Sequence, residues 1–176
     1  MENEFVILVD EHDHETGFME KMEAHKKALM HRAVSVFILN TNGDWLLQRR
    51  ALSKYHSGGL WTNTCCTHPL PNETNNDAAN RRLSQEMGLQ SDLTELFSFI
   101  YKEALDNELT EHELDHVFSG ISDLAPQLNP DEVVDYKYIS FTELNTDVKA
   151  NPENYTVWFR KIYENVELQI SKTEIK

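Results

Sequence analysis

The sequence predicts an α+β protein, built of mixed α/β layers and not of a regular parallel βαβ array. Three observations carry this. Short runs rich in β-branched and aromatic residues recur in both halves of the chain, one capped helix interrupts them, and a long helical stretch closes the sequence. Strands, a helix, strands and a terminal helix form an order that builds layers around a core. At 176 residues, with 40% hydrophobic and 26% charged residues, the chain is long enough to bury such a core as a single domain spanning 1–176.

Each element has a local reason. Phe5 to Val9 is an apolar run that reads as a buried strand, and Asp10 to Gly17 as a polar turn. Glu20 to Leu29 has weak periodicity and reads as a short helix or an irregular segment. Ala33 to Leu39 is a strand, Asn42-Gly43 a hairpin turn, and Trp45 to Gln48 the returning partner. Arg49 to Leu60 is loop-like. Asn75 or Asn76 is placed to cap a helix over about Asp77 to Met87, with Gly88 where a left-handed residue ends it. Strands follow at Leu93 to Tyr101, Leu114 to Gly120 and Val133 to Ile139, with an acidic connection from Glu103 to Glu111. Asn151-Pro152 precedes the long helical stretch, which runs to about Ile170.

A net charge of -14 disfavours generic binding to nucleic acid or to an acidic membrane surface. A small anion remains a feasible ligand if cations gather locally. Lys21, Arg49, Arg50, Lys54, Arg81, Arg82 and Lys102 all lie in the first 102 residues. The two cysteines, Cys65 and Cys66, are neighbours, so reduced thiols in a cytoplasmic protein are expected. The N-terminal apolar run of Phe5 to Val9 is too short for a signal sequence or a membrane span.

Chemistry concentrates in Thr62 to Glu73, TNTCCTHPLPNE. On an extended backbone residues two apart point the same way, so Cys66 and His68 face one cavity and Cys65 faces away. The next helix carries Arg81, Arg82 and Glu86, and Glu73 stands just before it. Guanidinium and carboxylate groups of this kind suit a diphosphate and a hard metal ion, although Arg82 and Glu86, four apart, also describe an ordinary surface ion pair. His25, His31 and His68 could supply imidazoles to a transition metal. Glu111 and Glu113 point to one side of an extended segment and could bind a metal or move a proton. His12, His14, His56, His112 and His116 read as surface or packing residues.

Taken in order, VILVDE, EKMEAHKKALMHRAVSVFI, QRRALSKYHSGGLWTNTCCTHP, ETNNDAANRRLSQEMGL, TEHELDHVF and NPDEVVDYKY resemble the type I isopentenyl diphosphate isomerases, a branch of the Nudix superfamily, over nearly the whole chain. Against the Nudix pattern G-x5-E-x7-R-E-U-x-E-E-x-G-U, with U aliphatic, Glu73, Arg81, Leu83, Glu86, Gly88 and Leu89 match, while Thr67, Arg82 and Gln85 depart. A Nudix hydrolase holds Mg²⁺ with the glutamates that Arg82 and Gln85 replace, so a pyrophosphohydrolase is the poorer reading and a non-catalytic binding module poorer still.

The resemblance implies a Nudix-like fold with a mixed central sheet flanked by helices. It implies a monomer acting on a small allylic or homoallylic diphosphate. By matching position, it implies a Zn²⁺ or Mn²⁺ site at His25, His31, His68, Glu111 and Glu113, and Mg²⁺ at Glu86. Lys21, Arg50, Lys54 and Arg82 would bind the diphosphate. Cys66 and Glu113 would transfer protons, Tyr101 would support Glu113, and Trp158 would form an aromatic wall.

Overall fold

The computed structural model describes residues 4–54, 56–105 and 108–174. Its strands join in one nine-stranded mixed sheet. The strands are β1 (Phe5–Val9), β2 (Glu15–Glu20), β3 (His31–Leu39), β4 (Trp45–Arg50), β5 (Trp61–Thr62), β6 (Cys65–Thr67), β7 (Thr94–Ala104), β8 (Thr110–Ile121) and β9 (Val133–Ile139). The helices are α1 (Lys21–Lys26), α2 (Asn75–Met87), α3 (Phe141–Ala150) and α4 (Val157–Glu174).

β3 is the axis. Its run HRAVSVFIL is buried along almost its whole length, as expected for a strand covered on both faces. One edge pairs in parallel with β8 from His31↔Glu113 to Leu39↔Ile121. The other edge is shared: β1 meets it at Leu8↔His31, β6 at Val34↔Thr67 to Val36↔Cys65, and β4 at Ile38↔Leu46 and Leu39↔Trp45. Beyond those two pairs β4 leaves β3 and runs beside β9 and β5.

Two apolar layers cover the sheet. On one side Ala78, Ala79, Leu83 and Met87 of α2 cluster with Val34, Val36, Ile38, Cys65 and Phe118. On the other, Trp158, Phe159, Ile162 and Val166 of α4 and Leu144 and Val148 of α3 cluster with Phe37, Trp45, Leu47 and Val117.

Several boundaries differ from expectation. The turn after β1 is shorter than Asp10 to Gly17, because β2 starts at Glu15 and pairs back onto β1 through Ile7↔Phe18. Thr74, not Asn75 or Asn76, caps α2: its hydroxyl accepts from the Asp77 amide at 3.1 Å and donates to the Asp77 carboxylate at 2.6 Å. Gly88 ends α2 at φ 62°, and a Cβ there would come within 2.7 Å of Gln127 Cβ. α3 was not foreseen, although Ser140 capping the Glu143 amide is a local signal for it. The acidic connection narrows to a hairpin between Ala104 and Thr110; its residues 106–107 lie outside the described residues.

Candidate active site

The site grows from one face of the sheet. Residues two apart in β3 place His31, Ala33 and Ser35 on that face; in β8 they place Glu111 and Glu113 there, and in the β6 segment Cys66 and His68. The register sets Cys66 beside Ser35 on one flank of β3 and Glu113 beside His31 on the other. Between them on β3 stands Ala33, whose methyl group leaves room above the strand. All of these except His31 line a cavity of about 250 Å³, with α1, β4, α2, β7 and α4 supplying the other walls.

At one end four ligand atoms, from His25, His31, His68 and Glu113, lie within 4.8 Å of one another. His25 Nδ1 donates to the Lys21 carbonyl at 2.7 Å and His31 Nδ1 to the Leu29 carbonyl at 2.8 Å. Those bonds place the proton on Nδ1 and leave each Nε2 lone pair free. Both Nε2 atoms are buried without a hydrogen-bond partner. His68 Nε2 is 3.1 Å and His31 Nε2 3.5 Å from Glu113 Oε1. Backbone-braced imidazoles aimed with a carboxylate at one point are the donor set of a divalent transition metal. Glu111 is outside this four-ligand group. Its Oε2 accepts from the Tyr101 hydroxyl at 3.0 Å, and that hydroxyl also lies 2.7 Å from Glu113 Oε2.

The electrostatics follow from burial and neighbours. Burial and the adjacent Glu113 charge push Glu111 well above the ordinary carboxyl range. Burial also raises Glu113, but the neighbouring His31 and His68 rings outweigh it and hold that carboxyl well below its usual range. Burial lowers His68 to about 4, keeping the ring neutral.

Cys66 sits at the other end. Its sulfur is 3.1 Å from Asn63 Nδ2, 3.2 Å from Asn63 Oδ1 and 3.5 Å from Ser35 Oγ. Burial, then the Asp115 carboxylate, pushes the thiol up to about 12, so it keeps its proton at neutral pH. Cys65 points into the α2 core as expected and is fully buried.

The cations form the third side. Lys21, Arg50, Lys54 and Arg82 all line the cavity. Lys21 Nζ is 3.1 Å from Glu4 Oε2, and the Arg50 guanidinium lies 5.2 Å from the Trp158 ring centroid. Arg82 is 2.5 Å from Glu86 Oε1 and 2.7 Å from Glu132 Oε2, which Lys54 also contacts. Glu86 is buried and accepts from Gln48 Nε2 at 2.6 Å.

Three readings change. Arg81 and Glu73 do not join this group: they pair with each other at 2.6 and 2.8 Å, and Arg81 also donates to the His68 carbonyl at 3.3 Å, bracing a site residue from outside. His56 is no bystander; it lines the cavity, with its ring 5.7 Å from Trp158 and Nε2 3.8 Å from Glu111. Asn63, Ser35, Glu4 and Glu132 were not foreseen. Asn63 falls within the TNTCC run, but only the fold shows its amide fixed by the Val36 and Cys65 carbonyls at 3.1 and 2.8 Å. His112 and His116 are packing residues as expected, bonded to the Ala28 carbonyl and to Glu95.

This fold, with a carboxylate-bearing helix beside a cavity that four cations line, defines a class. The NUDIX domain family matches residues 29–165, and the chain belongs to it. Solved structures agree on the fold: a Deinococcus radiodurans protein aligns with TM-score 0.69 at 21% identity, covering 84% of this chain and 90% of that one. A MutT protein from Methanosarcina mazei aligns at 0.65 and 19%, covering 80% and 94%. Within the class the relatives are specific. The chain is 52% identical to isopentenyl-diphosphate Delta-isomerase 2 of Aromatoleum aromaticum over 92% of its own length and 85% of the relative's. It is also 52% identical to the isopentenyl-diphosphate Delta-isomerase of Pectobacterium atrosepticum, over 92% and 90%. It is therefore a member of the isopentenyl-diphosphate Delta-isomerase family. Among the described residues no helix is long and apolar enough to cross a membrane.

Proposed function

We propose that this chain, acting as a monomeric cytoplasmic domain, interconverts isopentenyl and dimethylallyl diphosphate, with Cys66 and Glu113 moving the protons. The observation that carries the reading is that a protonated thiol and a carboxylate reach one cavity from the two flanks of β3, beside four cations. The same reading is supported by the isomerases named above.

An alkene is a very weak base, so protonating it demands a donor placed against the carbon and a base against the proton to be lost. The Cys66 S–H gives its proton to the terminal alkene carbon. The π pair forms the new C–H bond, the S–H pair stays on sulfur, and a tertiary carbocation-like centre develops. Glu113 then takes a proton from the adjacent methylene carbon, and that C–H pair becomes the new double bond. Tyr101, within 2.7 Å of Glu113 Oε2, orients the carboxylate. Trp158 borders the cavity, and a cation near its ring gains roughly 0.5–2 kcal/mol. Lys21, Arg50, Lys54 and Arg82 anchor the diphosphate far from the reacting carbons, so binding energy positions the alkene.

His25, His31, His68 and Glu113, with Glu111 alongside, would hold Zn²⁺ or Mn²⁺, which fixes the Glu113 carboxylate. Glu86 would hold Mg²⁺, which offsets diphosphate charge. The test is incubation with isopentenyl diphosphate, following the alkene protons by NMR and free phosphate by colorimetry. Rearranged alkene without phosphate release is expected. Phosphate release with the double bond unmoved would leave the hydrolase reading instead.

A further inference from the structure

The cationic end of the cavity holds more carboxylate than an anion site needs. Four cations, Lys21, Arg50, Lys54 and Arg82, share the cavity with Glu4, Glu86 and Glu132 as well as with Glu111 and Glu113, so the lining has no excess of positive charge. Glu132 is the pivotal member. A single oxygen, Oε2, takes both Arg82 at 2.7 Å and Lys54, cations from different elements. The same Arg82 Nη2 is 2.5 Å from Glu86 Oε1. Glu132 is also fixed from behind. Its amide donates to the Asn129 carbonyl at 3.0 Å, its carbonyl accepts from the Ala51 amide at 2.9 Å, and the Asn129 amide donates to the Glu86 carbonyl at 2.9 Å. With its backbone so held, Glu132 keeps its carboxylate on Lys54 and Arg82, beside any phosphate oxygen those cations bind.

From this arrangement, and resting on the diphosphate reading above, we infer that Glu132 is a specificity-determining residue that makes the cavity select the divalent-cation-loaded diphosphate over the metal-free one. A lining without excess positive charge cannot balance a bare diphosphate ester. The cation-loaded ester carries two fewer negative charges, and Glu86 and Glu132 present hard oxygen donors to its dication. Like charges within a few ångströms in a partly buried site are weakly screened, so the bare anion meets repulsion from Glu132.

The test is calorimetric binding of inorganic pyrophosphate to the full chain, in chelator and in magnesium chloride, for wild type, Glu132→Gln and Glu132→Asp, each checked for a cooperative melt. Glu132→Gln is expected to bind metal-free pyrophosphate about tenfold more tightly, or ~1.4 kcal/mol. Its affinity in magnesium stays level or weakens, so the preference for the loaded form falls about tenfold, while Glu132→Asp keeps the wild-type preference. Equal weakening in both conditions would make Glu132 a mere prop for Lys54 and Arg82 and overturn the inference, as would an unchanged preference. If Glu132→Gln does not fold, Glu132→Ala takes its place with the same expectation. Wild type binding pyrophosphate in neither condition would overturn the diphosphate reading itself. Wild type showing the preference while the variants leave it untouched would overturn the role of Glu132 alone.

Discussion

Adjacent cysteines with opposite surroundings make a paired experiment. Cys66→Ala removes the thiol that holds its proton in the cavity. General acid–base groups contribute typically ~10²–10⁴-fold, and an alkene leans on its donor heavily, so the rate is expected to fall by about 10⁴ or more. In the cavity the Tyr101 hydroxyl is engaged with Glu111 and Glu113, so it does not replace the lost acid. Cys65→Ala trims a fully buried side chain packed among Ala78, Leu83 and Val36. Losing one sulfur from a core costs about 1–2 kcal/mol. In a domain of this size that lowers the melting temperature by about 2–8 °C, with activity within about twofold of wild type. Initial rates by NMR and thermal melts by circular dichroism check both. A well-folded Cys65→Ala as inactive as Cys66→Ala, or a Cys66→Ala retaining a tenth of the wild-type rate, would refute the assignment of faces and roles.

Tyr101→Phe deletes the hydroxyl beside two buried carboxylates and is expected to cut kcat by about 10–100-fold, since a hydrogen bond to a charged group is worth ~1.5–3 kcal/mol; steady-state kinetics check it, and an unchanged kcat would remove Tyr101 from the site. Ala33→Val fills the floor between Cys66 and Glu113, so KM should rise with the fold intact; an unaltered KM would mean substrate does not sit above β3. His31→Gln removes a free Nε2 and should weaken Zn²⁺ binding by at least about tenfold in equilibrium dialysis, an effect typical even of residues that only orient ligands. His56 is depressed from 6.5 to about 3, by burial first and then by Arg50. A depressed imidazole leaves stability intact above pH 6.5 and drains it as the unfolded chain takes up the proton first, by about 2–3 kcal/mol at pH 4.5. Urea melts of His56→Gln should therefore lose less stability than wild type between pH 6.5 and 4.5; parallel losses would place that titration elsewhere.

The parts of this site legible in sequence were those governed by local periodicity. Cys66 and His68, or Glu111 and Glu113, share a face because strand residues two apart must, and Arg82 meets Glu86 because helix residues four apart do. Cys65 falls on the far side for the same reason. What stayed hidden depends on pairings between distant segments. Nothing local announces that β3 and β8 run in parallel, which brings His31 level with Glu113. Nor does anything local show that Glu132 reaches Lys54 and Arg82, or that His56 turns inward from a loop. Glu73 and Arg81 mislead for the opposite reason: their motif spacing is right, yet their mutual ion pair turns them outward. β2 lacked a clean apolar alternation, and its strand state comes from pairing with β1. α3 was legible in Ser140 and Glu143 but lies under a weakly apolar segment.

The most direct test of the central claim is isomerisation in deuterium oxide, read by NMR at each product carbon. The account predicts deuterium in the newly formed methyl group of dimethylallyl diphosphate with wild type, and no rearranged product with either Cys66→Ala or Glu113→Gln. Rearrangement that carries no solvent label into that methyl group, or that survives loss of both the thiol and the carboxylate, would contradict it.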